Sequence, residues 1–93
     1  MTIMSKLHIK TGVFKGISIN IEDGLVKYKG YMFNEQGAIP IKTIESIVFA
    51  PRQGTYLNEI RFIGVGTALG HITTMKKEEG LKCQQWLLEQ LGI

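Results

Sequence analysis

Few residues in this chain combine the types and spacing that catalysis requires. A nucleophilic relay needs a serine, a histidine and a carboxylate held together, and the chain has a single aspartate, Asp23. Asp23 stands before Gly24, a pair that is typical of a tight hairpin turn. The chain has two adjacent acidic pairs. Glu22 and Asp23 lie at this turn, and Glu78 and Glu79 lie at a predicted helix start, where negative charges interact favourably with the helix dipole. We therefore predict no catalytic residues and a protein that is not an enzyme.

The residue pattern does not predict a metal or cofactor site either. His8 and His71 have no ligand-type partner at metal-binding spacing. Cys83, the single cysteine, is predicted to be a buried apolar residue, and one cysteine is typical of a reducing compartment. The glycine-rich stretch 64–70 is not followed by the Gly-Lys-Ser/Thr of a phosphate loop, and a strand rather than a helix is predicted after it. We expect neither a metal nor a cofactor.

Four lysines are the one charged group with a predicted binding function. Lys27 and Lys29 are two residues apart on a predicted strand, so their side chains point the same way. Lys10 and Lys15 flank the loop before the preceding strand. If these strands pair as hairpins, the four ammonium groups can approach one another and bind an anionic lipid or another anionic surface. Exposed lysines also protect strands from aggregation without any ligand, and this alternative stays open.

The overall composition predicts one folded domain, residues 1–93. Of the 93 residues, 44% are hydrophobic, which is enough for a packed core, and the net charge is only +3. Nucleic-acid-binding proteins usually carry a denser basic face, so no nucleic-acid partner is predicted. No apolar stretch approaches the ~20 residues of a transmembrane helix. The N-terminal residues lack the pattern of a secretory signal. The sequence therefore predicts a soluble, cytoplasmic protein.

Most of the chain alternates between apolar and polar residues, as half-buried strands do. Residues 16–21 are the clearest case, because three isoleucines alternate with three small or polar residues. Pro40 has no backbone N–H, so its strand is predicted at an edge or a bulge. The predicted strands are residues 6–10, 16–21, 25–29, 38–41, 46–50, 57–63 and 71–75.

The end of the chain changes to a helical period. Residues 78–91 are predicted to form an amphipathic helix with one apolar stripe, and Gly92 follows where a helix commonly ends. The chain is therefore predicted to be mainly β, with seven antiparallel strands and one helix that covers them. The predicted core residues are Ile17, Ile19, Ile21, Val26, Tyr28, Ile47, Phe49, Ile60, Phe62, Trp86, Leu87 and Leu91.

Two segments resemble bacterial pleckstrin-homology-like domains. One is residues 24–28, Gly-Leu-Val-Lys-Tyr, after an isoleucine-rich strand. The other is residues 39–47, in which Ile-Pro-Ile leads through a polar turn into a new strand. The terminal helix with Trp86 also fits, and the resemblance covers roughly residues 14–91. It implies a bent seven-stranded antiparallel barrel or sandwich, capped by the helix, that serves as a binding or assembly module. Some related domains form homo-oligomers, and eukaryotic members bind phosphoinositides near the first hairpin loops.

These observations predict a non-enzymatic module that makes protein–protein contacts or self-associates as a homo-oligomer. The alternative is binding of an anionic lipid or surface through Lys10, Lys15, Lys27 and Lys29. The protein contact is predicted at the edge strand that contains Pro40 or at the loops around residues 64–70 and 52–56. The residues proposed for it are Ile39, Ile41, Val65, Ala68 and Leu69.

Overall fold

The described part of the chain contains seven strands and one α-helix. The computed structural model describes residues 10–14, 17–30, 34–52, 54 and 57–93. The strands are β1 (Lys10–Phe14), β2 (Ile17–Glu22), β3 (Leu25–Lys29), β4 (Gln36–Pro40), β5 (Ser46–Pro51), β6 (Asn58–Gly64) and β7 (Thr67–Thr74). A single 3-10 turn, Ile41–Thr43, connects β4 to β5, and the helix α1 is Lys77–Leu91.

The first sheet has the strand order β1-β2-β3-β4, with every neighbouring pair antiparallel. Its core face is the isoleucine row of β2, where Ile17, Ile19 and Ile21 are buried and the residues between them are not. Asp23 and Gly24 form the two-residue turn to β3, as predicted, and both have positive φ. The strand that contains Pro40 lies at the edge of the sheet, also as predicted.

The second sheet has the order β5-β6-β7 and is also antiparallel. Ile60 and Phe62 of β6 are fully buried and face the first sheet's apolar rows within one core. In the described residues no strand ladder joins the two sheets. The strands are therefore arranged as two sheets and do not form the closed barrel that is one of the two predicted architectures. Side chains must hold the sheets together.

The helix covers the space between the free edges of β1 and β5. It packs against both of these strands and against β6 and β7. Cys83 and Leu87 are fully buried on its inner face. The ring of Trp86 lies over Gly12 of β1, where a Cβ would stand 3.2 Å from the indole carbons and 2.7 Å from a ring carbon of Phe14, so a side chain at this position would force one of the two rings to move. On the other side, the side-chain amide of Gln84 donates a 3.0 Å hydrogen bond to the carbonyl of Ile47 on β5.

The opposite corner, where β4 meets β7, is closed by Tyr28. Its ring stacks on Phe62 with 5.5 Å between ring centroids and an interplanar angle of 22°. Its hydroxyl reaches the backbones of Gly37 on β4 and Gly70 on β7, where a Cβ would lie 2.8 Å and 2.6 Å from the oxygen. Burial raises the pKa of the Tyr28 hydroxyl, and the nearby Glu35 carboxylate acts in the same direction, while a hydrogen bond with the His71 backbone opposes both.

Two strands differ from the positions that the sequence predicts. The first described strand is Lys10–Phe14, whereas the predicted one is 6–10, of which 6–9 lie outside the described residues. In β1 the alternation of apolar and polar residues is interrupted by Gly12, so the sequence does not show the period of two that is typical of a strand. The last strand starts at Thr67, and the predicted glycine-rich loop 64–70 is only a two-residue turn, Val65 and Gly66. Valine is not a usual turn residue, so this hairpin gives no clear turn signal.

The predicted core and helix are largely confirmed. The helix begins one residue before the predicted start and ends at Leu91, and Gly92 follows with a φ of 71°. Of the predicted core, eight residues are buried, and Tyr28, Phe49, Trp86 and Leu91 are partly buried against it. Reasoning from alternation missed four buried positions, which are Ile39, Ile44, Leu57 and Ile72.

Gly64 is the position where the connection between the sheets passes closest to a strand. A Cβ at Gly64 would collide with the carbonyl oxygen of Thr43 in the 3-10 turn and would lie 2.8 Å from a methyl carbon of Leu69. The backbone of the turn is tied down nearby, because the N–H of Glu45 donates a 2.7 Å hydrogen bond to the carbonyl of Ile63. The turn therefore has little freedom to move away.

We expect Gly64→Ala to destabilise the protein by about 2 kcal/mol, since the added methyl overpacks a contact with backbone. Without this clash, alanine would stabilise the strand by about 0.5–1 kcal/mol relative to glycine. A lower free energy of unfolding in the variant would therefore report the clash. Urea unfolding measures the change. Ser46→Ala, an exposed substitution in the same sheet, serves as the control and should change stability by less than about 0.5 kcal/mol. A stabilised Gly64→Ala protein would contradict this account.

The thiol of Cys83 makes stability depend on alkaline pH. Burial, with a smaller effect from Glu79, raises the pKa of the thiol from 9.0 to about 12. Between these values the folded state holds a proton that the unfolded state has lost. The contribution to the free energy of unfolding is therefore complete below pH 9 and is lost as the pH rises toward 12.

We expect the free energy of unfolding to fall by up to about 1.4 kcal/mol per pH unit above pH 9 because of this thiol. Cys83→Ala removes the titrating group and should flatten the slope by that amount, with each protein compared with its own value at pH 7. Tyr28 is present in both proteins, so its titration cancels. Equal slopes in the two proteins would show that the thiol is not held in its protonated form.

Candidate functional site

A polar cluster lies where the loop before β4 crosses the outer side of β7. The Gly30 N–H donates a 2.6 Å hydrogen bond to the carbonyl of Glu35, which fixes the end of this loop. The Glu35 side chain is only 10% exposed. Its carboxylate accepts hydrogen bonds from the backbone N–H of Thr73 at 2.6 Å and from the Thr73 hydroxyl at 2.8 Å. Nε2 of His71 lies 2.9 Å from the same carboxylate.

Arg52 completes the cluster by donating a 2.8 Å hydrogen bond to the Thr73 hydroxyl, with its guanidinium 3.8 Å from Glu35. A carboxylate beside an imidazole is also found in catalytic relays. Here two of the three described groups within hydrogen-bond distance of the carboxylate are the backbone N–H and the hydroxyl of one strand residue, Thr73. The described contacts fit a clamp that ties the β3–β4 loop to β7 and satisfies a strand N–H that has no ladder partner.

The predicted lysine surface is only partly assembled. Lys27 and Lys29 lie in the outer row of the first sheet, opposite Asn20 and Ser18. The ammonium group of Lys27 is 2.9 Å from a carboxylate oxygen of Glu22, so the charge of Lys27 is already neutralised by an ion pair. Lys29 is exposed.

The side chains of the other two predicted lysines lie outside what the structure describes. The backbone of Lys10 is paired with that of Ile21 in the β1–β2 register. Lys15 lies outside the described residues. The four-lysine surface therefore stays a prediction, of which the structure describes the exposed position of Lys29 and the ion-paired position of Lys27.

The five residues predicted for protein contact have different positions. Ile39 is 5% exposed and packs in the core, so its side chain is not available to a partner. Ile41 and Leu69 are half-buried against the core. Ala68 is exposed, and Val65 is 81% exposed, the most of any large apolar side chain that the structure describes. We refer to Ile41, Val65, Ala68 and Leu69 as the apolar end. The loop 52–56 lies mostly outside the described residues.

Val65 is strained as well as exposed. It has a φ of 52°, in the left-handed region that a β-branched side chain rarely adopts. The turn between β2 and β3 places Asp23 at the same φ, and a glycine follows in both turns. Aspartate tolerates this conformation, whereas for most L-residues it costs about 1–2 kcal/mol. The chain therefore carries valine where a polar turn residue would be more stable, and the valine side chain buries little of its surface within its own fold.

An open groove of about 530 Å³ lies beside the apolar end. Its lining residues are Asp23, Gly24, Leu25, Pro40, Ile41 and Lys42. The N–H of Ile41 donates a 2.8 Å hydrogen bond to the carbonyl of Gly24, which joins the two walls. The floor is apolar, and the exposed side chains of Asp23 and Lys42 place one charge of each sign at the rim.

Sequence reasoning missed the Glu35 cluster and the groove for the same reason. Glu35 and Thr73 are 38 residues apart in the chain, and the two walls of the groove come from a hairpin turn and from the connection between the sheets. No short sequence motif predicts either the Glu35 cluster or the groove. The strain at Val65 has a weak signal, the Gly66 that follows it, because glycine favours the second position of a two-residue turn.

The described residues do not form a metal site or a membrane-spanning helix. In the ranges that the structure describes, no three His, Cys, Asp or Glu side chains come together as a metal site would require. The described helix is not long and apolar enough to cross a membrane. Comparison with protein-family models, with curated proteins and with solved structures gives no match for this chain.

We expect Val65→Asn to stabilise the protein by about 1 kcal/mol, because asparagine tolerates the positive φ and the valine side chain has little packing to lose. The mirror substitution Asp23→Val, at the same φ in the other turn, should destabilise by a similar amount. Val13→Asn is the control, since Val13 is 71% exposed but is not among the residues with positive φ. Urea unfolding measures all three, and a Val65→Asn protein no more stable than wild type would show that the turn is not strained.

Proposed function

We propose that this protein is a non-enzymatic, pleckstrin-homology-like module that makes protein contacts or self-associates through its apolar end. The observation that carries the proposal is Val65, a strained and exposed valine in a turn where a polar residue would be more stable. Strain that the fold does not need is often kept at contact sites. An exposed apolar side chain at a hairpin tip has the form of an anchor for a partner's pocket.

The architecture supports the family part of the proposal. Seven antiparallel strands followed by a C-terminal helix that packs on them is the order that the resemblance implies. Trp86, which the resemblance included, lies on the inner side of this helix against β1.

The apolar end is a better basis for function than the lysine row. A lysine near an anionic lipid surface contributes about 1 kcal/mol, and the amine of Lys27 is already paired with Glu22. The row therefore offers one unpaired amine among the described residues, which is too little for stable binding by charge alone. An apolar anchor in a fitting pocket contributes about 2 kcal/mol or more, roughly a 30-fold change in affinity.

A selection from a displayed peptide library tests the proposal even though the partner is unidentified. Peptides are selected on wild-type protein, and their affinities are then measured on Val65→Asn and on Val13→Asn. We expect the enriched peptides to bind Val65→Asn at least about tenfold more weakly, and to bind Val13→Asn within about twofold of wild type. Because Val65→Asn is expected to be the more stable protein, loss of binding cannot come from unfolding.

Two results would contradict the proposal. Enriched peptides that bind all three proteins equally would place the contact surface away from the apolar end. A library that yields no enriched peptide, together with a protein that stays monomeric, would show that the apolar end anchors neither a peptide nor a second copy of the chain.

A further inference from the structure

The chain carries an exposed apolar tip and an open apolar groove at the same end of the molecule. The tip is Val65, and the groove is the one lined by residues 23–25 and 40–42. The 3-10 turn Ile41–Thr43 lies between them. Ile41 forms part of the groove, and the carbonyl of Thr43 packs directly against Gly64, the residue before the tip.

We propose that the occupant of the groove is the Val65 tip of a second copy of this chain. Because the tip and the groove lie on two sides of one short turn, a two-fold axis can bring each tip to the other copy's groove in the same contact. Such a contact is closed and gives a dimer rather than a filament. This inference rests on the proposed function and names its partner.

The groove fits this occupant in size and in chemistry. A volume of about 530 Å³ is ample for a valine side chain together with the turn backbone on either side of it. Leu25, Pro40 and Ile41 offer the branched side chain an apolar floor. The residues on either side of Val65, Gly64 and Gly66, have no side chains, which leaves the tip narrow.

The charges at the groove rim are complementary under the same two-fold axis. Asp23 and Lys42 are both exposed, and among the described residues neither forms an ion pair within its own chain. A two-fold axis that passes between the grooves brings Asp23 of one copy toward Lys42 of the other, and the reverse. A rim of one sign would instead repel its copy.

The mass in solution is the first measurement. A tip and a shallow groove bury less than the ~1,600 Å² of a standard interface, so we expect a weak dimer that forms between about 0.1 and 1 mM. Light scattering across roughly 10 µM to 1 mM, a range that brackets this Kd, should show the average mass rising from 10.4 kDa toward twice that value. Val65→Asn should weaken the dimer at least about tenfold, and Val13→Asn should dimerise like wild type.

Disulfide cross-linking tests which surfaces meet. Protein with Val65→Cys is mixed with protein carrying Lys42→Cys, and the mixture is oxidised gently at mildly alkaline pH. We expect a disulfide between positions 65 and 42 of two different chains. A mixture of Val65→Cys with Gln85→Cys, an exposed position on the helix, should give none. The native Cys83 does not interfere, because it is fully buried and its pKa is raised to about 12.

Charge substitutions test the two-fold pairing. Lys42→Glu places two carboxylates together at each contact and should weaken the dimer about three- to tenfold, the range of one or two surface ion pairs. Asp23→Asn in the same chain removes the repulsion and keeps a residue that tolerates positive φ, so the double variant should recover at least about threefold. A double variant as weak as Lys42→Glu would overturn the Asp23–Lys42 pairing.

The outcomes separate this inference from the proposed function. Protein that stays monomeric to the top of that concentration range, or that cross-links tip to tip through two Val65→Cys chains, overturns the docking of tip into groove. If the selected peptides nevertheless depend on Val65, the proposed function stands with a different partner. Dimers that are unaffected by Val65→Asn, together with peptides that do not depend on Val65, would overturn both.

Discussion

The absence of a strand ladder between the two described sheets is the constraint on which the rest of this structure depends. Within a sheet, backbone hydrogen bonds fix the neighbours, but between sheets only side chains can do so. Each sheet also has apolar residues on one face that must be removed from water. The fold meets both requirements at two corners, one covered by the helix and one by Tyr28.

The two corners are closed in different ways. At the helix corner, Cys83 and Leu87 fill the core while Trp86 and Gln84 contact the free edges of β1 and β5. At the other corner, Tyr28 stacks on the second sheet's Phe62, and Glu35 binds the N–H of Thr73 from outside. Apolar packing is thus supplemented at both edges by a polar side chain that satisfies one backbone group of the edge strand.

The ends of the strands are less constrained than the corners, and this is where the chain departs from its most stable choices. The β2–β3 and β6–β7 turns both have positive φ at their first position, and the chain uses aspartate in one and valine in the other. The Val65 turn therefore gives up stability and exposes an apolar side chain, next to a groove whose floor is apolar. The proposed contact at the apolar end rests on these two properties.

The sequence by itself determined the elements whose signals are local. The isoleucine alternation of β2, the Asp23 and Gly24 turn, the edge position of the Pro40 strand and the helix up to Gly92 are all readable from neighbours in the chain. The start of β7 was not readable in this way, because valine is an unusual residue for a turn and the turn before β7 contains Val65. Tertiary structure alone decided the partnership of Glu35 with Thr73, the closeness of Gly64 to Thr43, and the groove. These features depend on how two sheets are placed against each other, and residues far apart in sequence carry no spacing that encodes that placement.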